Sequence, residues 1–178
     1  MYAVVALFNL ELEQRIKMIW EGLESNEISY YAREVGDRVP HITLANYKDI
    51  PVMSFIHKMG TFYKGKEKVR VDFQTIGSFI NTKTLFYSPT ITEELLDLHS
   101  DHHRNFASFI DDEESVYLPG KWVPHCTLAN RLSEEKLKDA YNYCLKMDEK
   151  LKGEINRIGL IRIDSKKHAP LIYSESLI

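Results

Sequence analysis

The sequence of 178 residues has little of several features that define whole classes of protein. Its two cysteines are too few for a disulfide framework, and they form no cluster of the kind that binds structural zinc. Eight glycines, six prolines and 44% hydrophobic residues exclude a fibrous or disordered chain. The net charge of −3 gives no general attraction to nucleic acid or to an anionic membrane, so a polyanion would need a local site.

The N-terminal segment also lacks targeting signals. Residues 1–14 have neither the basic start nor the small-residue cleavage site of a signal peptide. Their apolar run is too short to cross a bilayer. Together with the scarcity of cysteine, this predicts a cytoplasmic protein without a membrane partner, and nothing in the sequence indicates an obligatory protein partner.

Hydrophobic patterning predicts a mixture of helices and strands. Residues 2–8 are continuously apolar and β-rich, which is typical of a strand buried on both faces. Helical spacing of apolar residues follows Asn9, Pro51, Thr90 and Ser133, and each of these residues is a favourable start signal. At Thr90 the signal is a capping box, which predicts that this residue caps its helix.

One nine-residue phrase occurs twice in the chain. "VPHITLANY" at 39–47 returns as "VPHCTLANR" at 123–131, and shorter matches keep a similar offset. This predicts an internal repeat over approximately 1–82 and 83–165, with a terminal strand at 170–177, inside a single bilobed domain of residues 1–178. Two copies are fewer than a solenoid needs to bury a core. The expected fold is therefore α+β, with two antiparallel sheets backed by helices and a central cleft between them.

The repeated phrase places chemically useful side chains on one face of each strand. Because side chains alternate along a strand, His41, Thr43 and Tyr47 share one face of the first copy. His125 and Thr127 share the corresponding face of the second, with Arg131 further along. A pseudo-twofold axis would bring these two faces together across the cleft.

Two imidazoles and two hydroxyls in one small volume suit displacement at a phosphodiester. Histidine has an unperturbed pKa of about 6.5, so one ring removes a proton from the nucleophile while the other protonates the departing oxygen. The threonine hydroxyls would hydrogen-bond the non-bridging oxygens, and no metal or cofactor is required. A single His-x-Thr strand often arises by chance or caps a strand. Its duplication favours the catalytic interpretation.

Three other residues are candidate substrate-binding groups, each with a structural alternative. Arg131 would bind a neighbouring phosphate, or would simply be a surface arginine that begins a turn. Tyr47 would stack on a base, although a tyrosine at the end of a strand is more often half-buried packing. Trp122 lies in the loop before the second phrase, where aromatic and basic residues mix, and alone it is more often structural. Cys126 is expected to be buried packing.

At "HITL" (41–44) and "HCTL" (125–128) the chain resembles the two-histidine (2H) phosphoesterase superfamily, which is defined by two His-x-Thr/Ser-hydrophobic tetrads in a duplicated, bilobed α+β fold. The chain looks most like the small bacterial phosphoesterases of that superfamily. The resemblance implies 2′,3′-cyclic phosphodiesterase or 2′-5′ RNA ligase chemistry on RNA ends or on small cyclic or 2′-5′-linked nucleotides. It implies that His41 and His125 are the acid/base pair and that Thr43 and Thr127 bind phosphate. The role of each histidine and the direction of the reaction stay open.

Two further hypotheses compete with this one. The protein would be a non-catalytic binder of RNA ends or nucleotides that retains the pocket. Alternatively, it would be a metal-dependent hydrolase, which needs carboxylate or histidine ligands beside His41 and His125. The sequence supplies none at suitable spacing.

Overall fold

The computed structural model describes residues 1–147, 151–165 and 168–178. Within these residues the chain forms seven strands, four α-helices and two short 3₁₀ turns. The strands are β1 (Tyr2–Phe8), β2 (His41–Tyr47), β3 (Val69–Phe79), β4 (Thr84–Pro89), β5 (Cys126–Ala129), β6 (Leu151–Arg162) and β7 (Leu171–Ser176). The helices are α1 (Leu10–Ser25), α2 (Val52–Tyr63), α3 (Glu93–Asn105) and α4 (Glu134–Leu145), and the 3₁₀ turns are Tyr31–Arg33 and Ala107–Phe109.

These strands are hydrogen-bonded in the order β2-β1-β6-β3-β4-β5, with β7 also paired to β6. All of the pairs are antiparallel, so the expected α+β class is confirmed. The two expected sheets, however, are continuous through the twelve-residue strand β6. Its first residues, 151–155, pair with β3, whereas residues 155–162 pair with β1 and in part with β7.

The strand order has an internal symmetry. Exchanging β1 with β4, β2 with β5 and β3 with β6 gives the same order read backwards. The helices follow the same rule, since α1 packs against β5 and β6 while α3 packs against β2 and β3. A duplicated unit would produce this arrangement. The repeat boundaries stay a prediction.

The core lies between the sheet and the helices. One large cluster of buried residues takes members from all four helices and from one face of the sheet. In β1 the residues on this face are Val4, Ala6 and Phe8. The alternate residues of β1 are also buried, in a smaller cluster on the opposite face that includes Ile161. The prediction that β1 is buried on both faces is therefore confirmed. In the described part of the chain, no helix is long and apolar enough to span a membrane.

Three of the four expected helix starts are confirmed. Asn9, Pro51 and Ser133 are the residues that precede α1, α2 and α4, and the Ser133 hydroxyl accepts a hydrogen bond from an N–H of the first turn. The expected cap at Thr90 is wrong, because Thr92 caps α3 with its hydroxyl. The backbone N–H of Thr90 is used instead in a 2.8 Å hydrogen bond to strand β3.

Candidate active site

The two histidine strands lie at opposite ends of the strand order and yet contact each other. β2 and β5 are the terminal strands of the hydrogen-bonded sequence of strands. They also pack together directly, which requires the sheet to curl until its two ends meet. The curvature brings the "HITL" and "HCTL" segments to one cleft.

Both histidine rings are held in the same way by the backbone. The Nδ1 atom of His41 lies 2.7 Å from the Val39 carbonyl oxygen, and that of His125 lies 2.7 Å from the Val123 carbonyl oxygen. A carbonyl oxygen can only accept, so each Nδ1 carries the hydrogen and donates it. Each Nε2 is left with a lone pair in the neutral ring and with a proton in the charged ring. This is the atom that acid/base chemistry requires.

The surroundings favour the neutral form of both rings. Burial, together with the charges of Arg38 and His125, lowers the pKa of His41 to about 4, against the opposing effect of the bond to Val39. Burial also lowers the pKa of His125 below its usual value, again opposed by a backbone hydrogen bond. Because the charge of His125 acts on His41, the two rings belong to one site.

Each tetrad threonine is contacted by a tyrosine from the loop before the other tetrad. Burial raises the pKa of Tyr117, and a hydrogen bond with the Thr43 side chain partly offsets this. Burial likewise raises the pKa of Tyr31, opposed by the charge of Arg38 and by hydrogen bonds that include the Thr127 side chain. The two tyrosines therefore cross between the halves of the site and hold the hydroxyls that face the cleft.

The cleft consists of two adjoining cavities that share these tyrosines. A cavity of about 720 Å³ contains His41 and Thr43, and one of about 850 Å³ contains His125 and Thr127. Tyr31 and Tyr117 line both. A further hollow of about 780 Å³ contains neither histidine. The cleft is large enough for a nucleotide-sized ligand on either side of the histidine pair.

The two halves of the cleft differ in their walls. On the second side, the rings of Phe79 and Phe86 pack against His125, with ring centroids 4.8 and 5.3 Å away. On the first side, no phenylalanine among the described residues lines the cavity of His41; apart from the two shared tyrosines, its apolar lining is aliphatic and includes Val39 and Ile161. The two phenylalanine rings give the second side an additional stacking surface.

A β-bulge in each histidine strand changes the faces that were expected beyond the threonines. Val4 pairs with Ala45 and Val5 pairs with Thr43, so one extra residue lies between them. β5 has the same irregularity after Thr127. The extra residue resets the alternation of side chains. It turns Asn46 toward the cavity of His41, and in the second copy Asn130 lines the cavity of His125.

The bulge makes the expected position of Tyr47 wrong. Tyr47 is 1% exposed and points into the core, away from the cleft. Its hydroxyl and that of Tyr63 lie 2.8 and 2.7 Å from the two ring nitrogens of His102. Asn46, rather than Tyr47, is the residue that faces the cleft at this end of β2.

Trp122 is also not where the sequence placed it. Its indole N–H donates a hydrogen bond to the Thr43 carbonyl oxygen at 2.9 Å. Its ring stacks on His99, with centroids 3.9 Å apart and planes 3° apart. The expected contact with substrate is therefore wrong, because the partly buried side chain packs behind β2 and lines neither cavity of the cleft.

Arg131 reaches the cleft from an unexpected side. Its backbone is in the left-handed region, with a φ of 51°, and its side chain lines the cavity of His41 rather than that of His125. Its proposed phosphate contact stays a prediction. Cys126 is fully buried, as expected, and burial raises the pKa of its thiol to about 12, so it is no nucleophile.

Sequence reasoning missed Asn46 and Asn130 as cleft residues. The signal was present, since "LAN" follows both histidine–threonine pairs and so was repeated along with them. The bulge that turns these asparagines toward the cleft has no marker in the alternation of side chains. Among the described residues, no group of three or more histidine, cysteine, aspartate or glutamate side chains is placed to hold a metal ion.

Comparison with known proteins agrees with the fold. The family model of the 2′-5′ RNA ligase superfamily matches residues 10–167. Since this match covers most of the chain, the protein belongs to the 2′-5′ RNA ligase superfamily. No curated protein sequence matches the chain at a significant level.

Several solved structures share the fold at low sequence identity. The crystal structure of E. coli LigT complexed with 3′-AMP has a TM-score of 0.66 and 12% identity, with 99% of this chain and 97% of that chain covered. The protein TT0787 of Thermus thermophilus gives 0.63 and 17%, with the same coverage of each chain. A protein described as a phosphoesterase gives 0.66 and 10%, again with 99% and 97% covered. At these identities the likeness shows the fold alone.

Proposed function

We propose that the protein is a metal-independent phosphoesterase that acts on 2′-linked phosphates of nucleotides or RNA. The observation that carries the proposal is the matched geometry of His41 and His125. Each ring donates its Nδ1–H to a carbonyl oxygen two residues earlier, which leaves its Nε2 for a ligand in the shared cleft. Family membership supports the reaction class, and the 3′-AMP bound to LigT shows that one protein of this fold accepts a nucleotide.

The proposed reaction is an in-line displacement at phosphorus. Nε2 of His41 takes a proton from water, whose oxygen attacks the phosphorus of a 2′,3′-cyclic phosphate. The bond from phosphorus to the leaving ribose oxygen breaks, and that oxygen takes the proton from Nε2 of His125. The hydroxyls of Thr43 and Thr127 donate to the non-bridging oxygens, where negative charge accumulates. Ligation uses a 5′-hydroxyl in place of water.

Substrate binding would allow the proposed acid to take up its proton from solvent. Both rings favour the neutral form in the free protein, but the proposed acid must be charged. A phosphate anion between the rings stabilises a charged imidazole and raises its pKa. His41 keeps the neutral form because burial, aided by the charge of Arg38, lowers its pKa to about 4, so His125 is the ring that takes up the proton. Catalysis and proton uptake are thus coupled to the same anion.

The expected partners are RNA ends or small cyclic or 2′-5′-linked nucleotides, and the expected compartment is the cytoplasm. Both cysteines are free and buried, which suits a reducing environment. These assignments are part of the proposal.

The test is turnover by purified protein in the presence of a chelator. Substrates are a short RNA ending in a 2′,3′-cyclic phosphate, 2′-5′-linked dinucleotides and cyclic mononucleotides. His41→Ala and His125→Ala should each lower kcat by about 10²–10⁴-fold. His57→Ala, at an exposed histidine of α2, is the matched control and should leave the rate unchanged.

Three outcomes contradict the proposal. Loss of activity in chelator would favour the metal-dependent alternative. Tight binding of the cyclic-phosphate RNA with no product in a single-turnover experiment would favour the non-catalytic binder. Equal activity of His41→Ala and the wild type would remove the acid/base assignment.

A further inference from the structure

Arg38 is a cation with no carboxylate partner among the residues that the structure describes. Its guanidinium carbon lies 3.7 Å from the centroid of the Tyr31 ring, so the planar group is stacked in place. Within residues 1–147, 151–165 and 168–178, its Nε is buried without a hydrogen-bond partner. A buried donor left unpaired is unfavourable unless a ligand completes it.

The position of Arg38 lies between the two tetrads. The residue lines the cavity of His41, and its charge acts on that ring. It stacks on Tyr31, which lines both cavities and contacts the Thr127 side chain of the other tetrad. An anion bridging His41 and Thr127 would therefore lie beside this guanidinium.

Comparison of the two halves of the chain shows why this position is available for a cation. Arg38 and Trp122 each stand three residues before a tetrad histidine, in "RVPH" and "WVPH". Trp122 serves the carbonyl of Thr43. The corresponding carbonyl of Thr127 accepts its hydrogen bond, at 3.2 Å, from the indole of Trp20 in helix α1. Position 38 therefore has no carbonyl to satisfy, and its side chain turns to the cleft.

We propose that Arg38 binds the reacting phosphate and makes the two histidine halves of the site chemically unequal. This inference rests on the proposed function. The tetrads supply neutral hydroxyl donors, whereas the transition state carries added negative charge. A stacked guanidinium offers fixed N–H donors and a permanent positive charge to that anion. On this assignment the half that contains Arg38 holds the proton acceptor, and the half without it holds the donor.

Other charged and titratable groups also face His41 and contribute to its electrostatic environment. Those that line its cavity are the amino-terminal Met1, Tyr31, Asp37, Tyr117 and Arg131, and His125 acts from the other cavity. The influences that shift the pKa of His41 are burial, Arg38 and His125, with the bond to Val39 opposing them. Removing the charge at position 38 alone should therefore move the titration of His41 upward.

The test compares Arg38→Gln, Arg38→Lys and Arg33→Gln. Arg33 is a matched control from the same loop, since it is exposed and paired with Glu24 at 2.6 Å. Binding of inorganic phosphate is measured calorimetrically, and the His41 ring is titrated by NMR in the free protein. We expect Arg38→Gln to weaken phosphate binding by about 10-fold or more. It should raise the titration midpoint of His41 and lower kcat/KM by about 10²-fold.

The lysine variant separates charge from shape. Arg38→Lys should restore the His41 titration, since the charge is kept, but not the full phosphate affinity, since the planar donors are lost. Unchanged phosphate affinity in Arg38→Gln, or an unmoved His41 midpoint, overturns the inference, as does an equal effect of Arg33→Gln. Neither binding nor NMR titration requires turnover. If phosphate binding depends on Arg38 while no substrate is converted, the proposed function fails and the anion site stands.

Discussion

The indole N–H of Trp122 donates to the carbonyl oxygen of Thr43 at 2.9 Å, at the point where the bulge interrupts β2. This bond satisfies a backbone carbonyl of the terminal strand β2. Since the Thr43 side chain faces the cleft, the same bond also positions a proposed phosphate-binding hydroxyl. His103 supports the next carbonyl, that of Leu44, through its Nε2 at 3.0 Å. The wall behind the first tetrad is thus a set of indole and imidazole donors.

Trp122→Phe should therefore reduce both stability and activity. Phenylalanine keeps an aromatic ring against His99 but leaves the Thr43 carbonyl without its donor, which costs about 1–3 kcal/mol. We expect a loss of that size in urea unfolding and a drop in kcat of about 10-fold as Thr43 loses its support. Trp20→Phe should act in the same way through Thr127, while Tyr30→Phe, at an exposed ring, serves as the control. A stable, fully active Trp122→Phe would contradict this role.

The rate–pH profile should have an acidic optimum. His41 must be neutral to accept a proton, and its pKa of about 4 keeps it neutral at any higher pH. His125 must be protonated to donate. Because its pKa is lowered, the free protein loses the protonated form at a pH below the usual histidine pKa of about 6.5. The profile of kcat/KM should therefore peak between about pH 4 and 6.5. The basic limb of kcat should lie higher, because bound phosphate raises the pKa of His125. An optimum above about pH 8 for kcat/KM would contradict the assignment.

The buried histidines of α3 should make the protein sensitive to acid. Burial lowers the pKa of His99 to about 4, and His102 and His103 are shifted in the same direction by burial. The folded state holds them neutral, while the unfolded chain binds protons near a pH of about 6.5. Stability is thus full above about pH 6.5 and falls as the pH drops toward about 4, by about 3 kcal/mol for His99 alone.

His99→Gln tests this dependence. Glutamine retains an N–H donor for the Tyr117 carbonyl, which His99 contacts at 2.8 Å, but cannot titrate. The variant should lose less stability than the wild type between about pH 7.5 and 5 in urea unfolding. His57→Gln, at an exposed position, should leave the slope unchanged. Identical slopes for wild type and His99→Gln would show that the acid sensitivity has another source.

The two cleft asparagines should respond differently to removal. Oδ1 of Asn130 is buried without a hydrogen-bond partner in the described part of the chain, whereas Oδ1 of Asn46 accepts from the Ser115 hydroxyl at 2.5 Å. Asn130→Ala should leave the unfolding free energy nearly unchanged but weaken nucleotide binding about 5–10-fold, while Asn46→Ala should destabilise by about 1 kcal/mol. Calorimetric binding and urea unfolding measure the two effects. Asn105→Ala, in exposed helix, is the control.

The sequence was sufficient to predict the elements that repeat and the residues that repeat with them. The convergence of His41, Thr43, His125 and Thr127 on one cleft was predictable because the nine-residue phrase recurs, and β1 because its apolar run is continuous. The directions of the side chains beyond the threonines could not be predicted. One extra residue in β2 reverses every later face, and the sequence pattern does not reveal it. Tyr47 was misplaced for this reason.

The orientation of Trp122 shows a second limit of prediction from sequence. Arg38 and Trp122 occupy equivalent places in the repeat, and nothing in the sequence tells that one turns to the cleft and the other to the wall behind β2. The difference depends on Trp20, which is distant in the chain and reaches the second tetrad only through the packing of α1 against β5. Long-range partners of this kind are set by the folded sheet rather than by local pattern.

The exchange of β3 and β6 has a consequence for how the molecule can be divided. β6, from the end of the chain, lies beside β1, and β3, from its first half, lies beside β4. A fragment cut between β3 and β4 would leave β1 with an open edge where its neighbour had been, and the other piece would be exposed in the same way. Neither fragment is expected to fold stably on its own. Mixed together, the two fragments should recombine into one particle, whereas each kept alone should aggregate or pair with its own copy.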